Sequence, residues 1–117
     1  MSTHADIVKH HVESLVNGDV DEVMNDYDIN AVILCGPQPI QGPEAISGFF
    51  SGVSASFDGF ELDVSVGESD HQYIAWHTGD GSRGTDTFYI RDRKIVLQTA
   101  FFIEGHGGPE AETVTPS

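Results

Sequence analysis

A chain of 117 residues with nineteen acidic and five basic side chains carries a net charge of −14 with histidine neutral, and it has room for one domain around one modest core. That charge would be repelled by nucleic acid and by anionic membrane surfaces, and the five cations form no basic run, so neither is an expected partner. Seven Phe, three Tyr and one Trp within a 38% apolar composition distinguish the chain from disordered acidic sequences.

No apolar stretch approaches the ~20 residues of a membrane helix. The start, Met1 to Asp6, has neither the positive nor the apolar segment of a signal peptide, which gives the expectation of a cytoplasmic protein. The single cysteine, Cys35, excludes an internal disulfide framework and a cysteine-based zinc cluster.

In chain order, Ile7, Val8, Val12, Leu15 and Val16 fall at helical spacing and predict a first helix from about His4 to Asn17, capped by Ser2 or Thr3. His11 lies inside its apolar arc and His10 outside. Gly18 suits the position after the helix, and Asp19-Val20-Asp21-Glu22 reads as a capping box opening a short second helix to about Tyr27. A short strand, Ala31 to Cys35, ends at Gly36-Pro37-Gln38-Pro39. Gly42-Pro43 opens a third helix with the apolar stripe Ala45, Ile46, Phe49, Phe50 and Val53. The period then changes to two. Phe60, Leu62, Val64 and Val66 alternate with polar residues and predict an amphipathic strand over about Phe57 to Gly67.

Three further strands are expected over His71–Thr78, Gly84–Arg91 and Lys94–Ile103, joined by turns at Glu68–Asp70, Gly79–Ser82 and Asp92-Arg93. The predicted architecture is α+β, with three N-terminal helices on one face of a curved antiparallel sheet. Residues 1–104 form one domain, and Gly105 to Ser117 form a flexible Gly-, Pro-, Glu- and Thr-containing tail with little to bury.

In the strand Gly84–Arg91, Arg83, Thr85, Thr87, Tyr89 and Arg91 mark the solvent side, so Asp86 points inward with Phe88 and Ile90. An inward carboxylate is expensive unless it is paired, hydrogen-bonded or protonated. Asp86 is therefore the first site candidate, beside the alternative of a carboxylate that only bonds backbone or a buried partner. His11 is the second, as a polar group in an apolar helical face that can donate to a ligand oxygen or exchange a proton, or else as a satisfied core histidine. His77, beside Trp76, is the third; the alternation puts the two on opposite faces without deciding which is inward. Cys35 ends an apolar strand with no neighbour to activate it, which points to packing rather than a nucleophile. His10 and His11 diverge by about 100° and cannot share an ion as an i, i+4 pair does, so no metal is expected.

The order of these elements, with Asn17-Gly18-Asp19, Gly42-Pro43-Glu44-Ala45-Ile46, and Gly84-Thr85-Asp86-Thr87-Phe88 followed by Ile90-Arg91-Asp92-Arg93-Lys94-Ile95, resembles the SnoaL-like branch of the NTF2-like superfamily. That superfamily includes ketosteroid isomerases and polyketide cyclases. The resemblance covers about Ala5 to Glu104. It implies a cone-shaped α+β barrel, an apolar cavity between sheet and helices, no cofactor, and a homodimer through the outer sheet face. By the resemblance, Asp86 matches an oxyanion-hole carboxylic acid of the isomerases and the acid/base aspartate of the cyclases. His77-Thr78-Gly79 is similar to a segment supplying a pocket histidine. His11 falls at the position of an oxyanion-hole tyrosine, and Cys35 at that of the general-base aspartate. A thiol with an ordinary pKa of about 8.5 is a poor substitute for that base. The implied cavity would present Cys35, Trp76, Phe88, Phe50 and Tyr27 to a ligand.

Two functional classes follow. One is a cofactor-free isomerase or cyclase that abstracts a proton next to the carbonyl of a small cyclic compound, with Asp86, His77 and His11 as its catalytic residues. The other is a non-catalytic module that binds an apolar ligand, or dimerises, through the same architecture.

Overall fold

The computed structural model describes residues 3–53 and 57–105; of the expected tail, residues 106–117 lie outside the described residues, as does Ser2. Helix α1 spans His4–Val16 and is opened by a capping box. The Asp6 N–H donates to Thr3 Oγ1 at 3.1 Å and the Thr3 N–H donates to Asp6 Oδ2 at 3.2 Å, satisfying two of the donors a helix start leaves free. Gly18, at φ +74°, turns the chain into α2, Val20–Met24, capped by Asp19.

Strand β1 spans Tyr27–Leu34, β2 Ile40–Gln41, α3 Pro43–Val53, β3 Glu61–Glu68, β4 His71–His77, β5 Arg83–Arg91 and β6 Lys94–Ile103. The strands form one sheet in the order β2-β1-β6-β5-β4-β3. It is mixed and open, where a wholly antiparallel barrel was expected. The reason is topological: α3 carries the chain from the β1–β2 edge to the far edge, and the meander β3 to β6 walks back until β6 lies parallel to β1. The edges β2 and β3 do not pair, so the sheet curves without closing.

Two strands differ from their expected extents for local reasons. β1 starts at Tyr27 rather than Ala31, because a bulge between Tyr27 and Val32 hides the alternation. There the Asn30 N–H donates to Asp28 Oδ2 at 2.8 Å, and Ile29 is 71% exposed. β3 begins after Phe60 and is exposed at all eight positions. A bulge between Leu62 and Val64 shifts its register, placing Val64 and Val66 opposite Ala75 and Tyr73 on the convex face. Periodicity reports that a strand has two faces, but not which one meets the helices.

The core lies between the concave face and the helices. Ile7, Val8 and Leu15 of α1, Val23 of α2, and Ile46 and Phe50 of α3 pack with Ile33, Ile74, Phe88, Ile90 and Ile95 of the sheet. On β4 the question left by alternation is answered: Gln72, Ile74 and Trp76 are buried, while Tyr73 and His77 lie on the convex side.

Candidate functional site

Asp86, Trp76 and Gln98 stand on three adjacent strands of the concave face. Asp86 on β5 lies opposite Ile74 of β4 and Ala100 of β6, so Trp76 and Gln98 are its diagonal neighbours. Both reach it. Trp76 Nε1–H donates to Asp86 Oδ1 at 2.8 Å and Gln98 Nε2–H to Oδ2 at 2.7 Å. Gln98 Oε1 in turn accepts from the hydroxyl of buried Tyr27, which holds the amide in place while the acceptor-only carboxylate takes its nitrogen end. Two small residues make room. Ala100 opposite Asp86 leaves space above the carboxylate. A Cβ added at Gly84 would stand 2.5 Å from Trp76 Cζ2, so the glycine lets the indole lie over β5.

Above this group is a cavity of about 350 Å³, within the usual range for small-ligand sites. Its walls are Phe49 and Val53 of α3, Phe57, Trp76, Phe102 and Cys35, with Asp86, Gln98 and Ala100 on the floor and the exposed Asp80 and Glu104 at the mouth. Burial raises the pKa of Asp86, opposed by the two hydrogen bonds from Trp76 and Gln98, which favour the ionised form. Burial, and then the charge of Asp86, pushes up the Cys35 thiol and holds Tyr27 well above the usual phenol range. Both stay protonated.

His11 is 2% exposed and enclosed edge-on by Tyr27, Phe50 and Phe88, with ring centroids 5.3 to 5.6 Å away. Its Nδ1 is buried without a hydrogen-bond partner. Desolvation, and then His10, lowers its pKa to about 3. His11 shares a separate, smaller cavity of about 40 Å³ with Asp86, Gln98, Trp76 and Phe88. The expected residues thus divide into groups. Asp86, Cys35 and Trp76 line the large cavity, His11 and Phe88 reach the small one, and Tyr27 and Phe50 are core residues packed on His11.

His77 is placed elsewhere, correcting its expected position in the pocket. On the convex face its Nδ1 is 2.8 Å from Asp63 Oδ2, and its Nε2 is 3.9 Å from Glu61 Oε2. The hydrogen bond to Asp63 raises its pKa. The alternation already separated it from Trp76; the burial of Trp76 decides the rest. Gln98 was missed because both faces of its strand are apolar and a bulge beside Val96 breaks the alternation, so that Ile95 and Gln98 both face inward. Among the described residues no three His, Cys, Asp or Glu side chains are grouped to hold a metal ion, and no helix is long and apolar enough to cross a membrane.

Comparison with solved structures gives many matches of the same architecture. An NTF2-like protein of unknown function from Burkholderia xenovorans LB400 is 18% identical, with 97% of this chain aligned to 94% of that one at a TM-score of 0.77. A proposed polyketide cyclase from Sinorhizobium meliloti is 20% identical over 81% of this chain and 93% of its own, at a TM-score of 0.71. A proposed isomerase of the SnoaL-like family from Agrobacterium tumefaciens C58 is 15% identical over 89% and 100%, at 0.67. The chain has the NTF2-like fold. No protein-family model matches the sequence, and no curated protein matches it.

The burial of His11 has a measurable consequence. Its folded pKa of about 3 lies below the ordinary 6.5, so between these values the unfolded chain binds a proton that the folded chain refuses, and stability falls as the pH falls. His10 and His77, whose pKa values are raised, contribute in the opposite direction, stabilising below the ordinary histidine pKa and losing that contribution as the pH rises through their folded values. Urea unfolding of wild type and His11→Phe isolates the His11 share. The difference in stability between them should shift in favour of the variant by about 2 kcal/mol from pH 6.5 to 4.5. A pH-independent difference would show that His11 accepts a proton in the folded state.

Proposed function

We propose that the cavity holds a small, largely apolar carbonyl compound and that Asp86 removes and returns a proton next to the carbonyl, as in an isomerase or cyclase of SnoaL-like type. The observation that carries this reading is Asp86 itself, a carboxylate on the floor of a largely apolar cavity, positioned through both oxygens by Trp76 and Gln98. An apolar ring fits against Phe49, Phe57, Trp76 and Phe102. With an α-carbon over Asp86, the ionised carboxylate takes the proton and electrons move onto the carbonyl oxygen; the proton is then returned at another carbon, or the enolate carbon attacks a second carbonyl and the resulting alkoxide takes the proton back from Asp86. A desolvated carboxylate with a raised pKa is a stronger base once ionised than one in water. The protonated Cys35 thiol is a weak donor on the same wall. The solved neighbours described as a proposed polyketide cyclase and a proposed SnoaL-like isomerase agree with this reading.

A second reading, ligand binding without chemistry, is favoured by one observation: both Asp86 oxygens already accept hydrogen bonds, and Cys35 rather than a second carboxylate faces the cavity. One experiment separates the two. Wild type and Asp86→Asn are incubated with a panel of cyclic ketones in deuterium oxide, and α-deuteration is followed by NMR. The proton-transfer reading predicts exchange catalysed by wild type and lowered at least about 100-fold in Asp86→Asn, the usual size of a general-base contribution. An Asn side chain can keep both contacts if the Gln98 amide turns over, so loss of exchange need not reflect unfolding. Ketone binding without wild-type exchange would support the second reading, and equal exchange in both proteins would remove Asp86 from the chemistry.

The same reading includes a homodimer formed through the convex face. Val64, Val66, Tyr73, Phe101 and Ile103 are exposed there, Phe101 by 68%, among Thr85, Thr87 and Thr99 on neighbouring register positions. His77 and Arg83 pair across β4 and β5 on this face, and Asp63 is hydrogen-bonded to His77. An exposed apolar set of this kind marks an interaction surface. Light scattering should give twice the monomer mass of 12.7 kDa, and Phe101→Glu should return the monomer. A wild-type monomer across dilution and salt would contradict the dimer.

A further inference from the structure

The charges and rings around the large cavity restrict what it can hold beyond being small and apolar. Among the described residues three carboxylates line it: Asp86 on the floor and Asp80 and Glu104 at the mouth. None of the five Lys and Arg residues of the chain does. Arg83 projects to the convex side, paired with His77 and Ile103, while Arg91, Arg93 and Lys94 cluster at the β5–β6 turn. The carboxylates are thus not neutralised by a lining lysine or arginine.

Their placement is built rather than incidental. Asp80 Oδ1 accepts from Thr78 Oγ1–H at 2.6 Å and from the Ser82 N–H at 3.0 Å. These bonds fix the Asp80 side chain in its turn and lower its pKa to about 2. The Gly105 N–H donates to Ser82 Oγ at 2.9 Å, tying the segment after β6 that carries Glu104 to the turn that carries Asp80. Between mouth and floor stand three rings that line the cavity together: Trp76 with Phe57 at 5.6 Å and Phe102 at 6.4 Å between centroids. Aromatic faces and carboxylates around one apolar space, with no lining lysine or arginine, form the chemical complement of an organic cation, which both attract while its apolar body is desolvated. A carboxylate ligand would meet three carboxyl groups there and no lining lysine or arginine.

We infer that the compound held in this cavity carries a protonated amine or quaternary ammonium group, set among Trp76, Phe57 and Phe102 and facing Asp80 and Glu104 at the mouth. The inference rests on the reading of this cavity as the ligand site and is independent of whether Asp86 transfers a proton. For the proposed chemistry, it restricts the substrate class to amino-carbonyl compounds.

The test uses three probes with one ring and three charges, cyclohexylmethylamine, cyclohexylmethanol and cyclohexanecarboxylate, read by the emission of Trp76, the sole tryptophan. The amine should bind about tenfold more tightly than the alcohol, with the carboxylate weakest. Asp80→Asn combined with Glu104→Gln should bring amine and alcohol to within about twofold. Asp21→Asn combined with Asp92→Asn changes the net charge equally on exposed positions away from the cavity and should preserve the preference. Equal binding of amine and alcohol by wild type, or equal loss of preference in both double variants, would overturn the inference, the latter by assigning it to bulk charge. If no probe perturbs Trp76, the cavity reading itself fails and the inference with it. Amine preference without α-exchange in any bound ketone, a cyclic amino-ketone included, would retain the inference and reject only the proton-transfer step.

Discussion

A carboxylate on the concave face of a sheet loses water as the helices close over it, and the protein must replace that water with donors or accept a proton in its place. Asp86 is held by two donors on the strands to either side, Trp76 on β4 and Gln98 on β6. Each is aimed by something further away. The Tyr27 hydroxyl on β1 orients the Gln98 amide, and Gly84 leaves the indole space to cross β5. The chain of contacts therefore runs across β1, β6, β5 and β4, and it depends on β6 lying between β1 and β5. The parallel pairing of β1 with β6, which makes the sheet mixed, is also what brings Tyr27 to the site.

The same arrangement separates two spaces. Asp86, Gln98 and Trp76 border both the large cavity and the small one that reaches His11. His11, enclosed by three rings with an unpartnered nitrogen, is kept neutral by desolvation and lies on the far side of that partition from the large cavity. The polar groups that a ligand in the large cavity meets are those of the floor and the mouth. The NTF2-like fold supplies the concave space, while the chemistry resides in the few side chains that break its apolar lining.

Much of this was legible in the sequence, for a common reason: amphipathic period and turn chemistry are local. α1, α3, β4, β5 and β6 could be placed from spacing alone. The turn at Asp92-Arg93 was placed although both residues have positive φ without a glycine. Asp86 was legible because β5 alternates cleanly, so a carboxylate in phase with Phe88 and Ile90 had to point inward. Bulges hid what alternation could not carry: the start of β1 at Tyr27 and the outward turn of Val64 and Val66. The partner strand of β1 is a long-range property with no local signature. His77 was misplaced because its strand has plausible residues on both faces, and the choice is made by Phe57 and Phe60 packing on Trp76, contacts distant in sequence. Gln98 was overlooked because the bulge in β6 breaks the alternation that identified Asp86 on β5.

The central claim is that Asp86 is buried against the Trp76 indole and the Tyr27-oriented Gln98 amide, and one measurement reads it without any ligand. With a single tryptophan, an 15N-labelled protein gives one indole N–H signal, which can be followed through a pH titration in wild type, Asp86→Asn and Tyr27→Phe. The indole signal should titrate with a midpoint above the ordinary aspartate value of 3.8, lose that titration in Asp86→Asn, and show a higher midpoint in Tyr27→Phe, where the Gln98 donor is no longer held toward the carboxylate. An indole signal that is indifferent to pH over the folded range and unchanged by Asp86→Asn would contradict it.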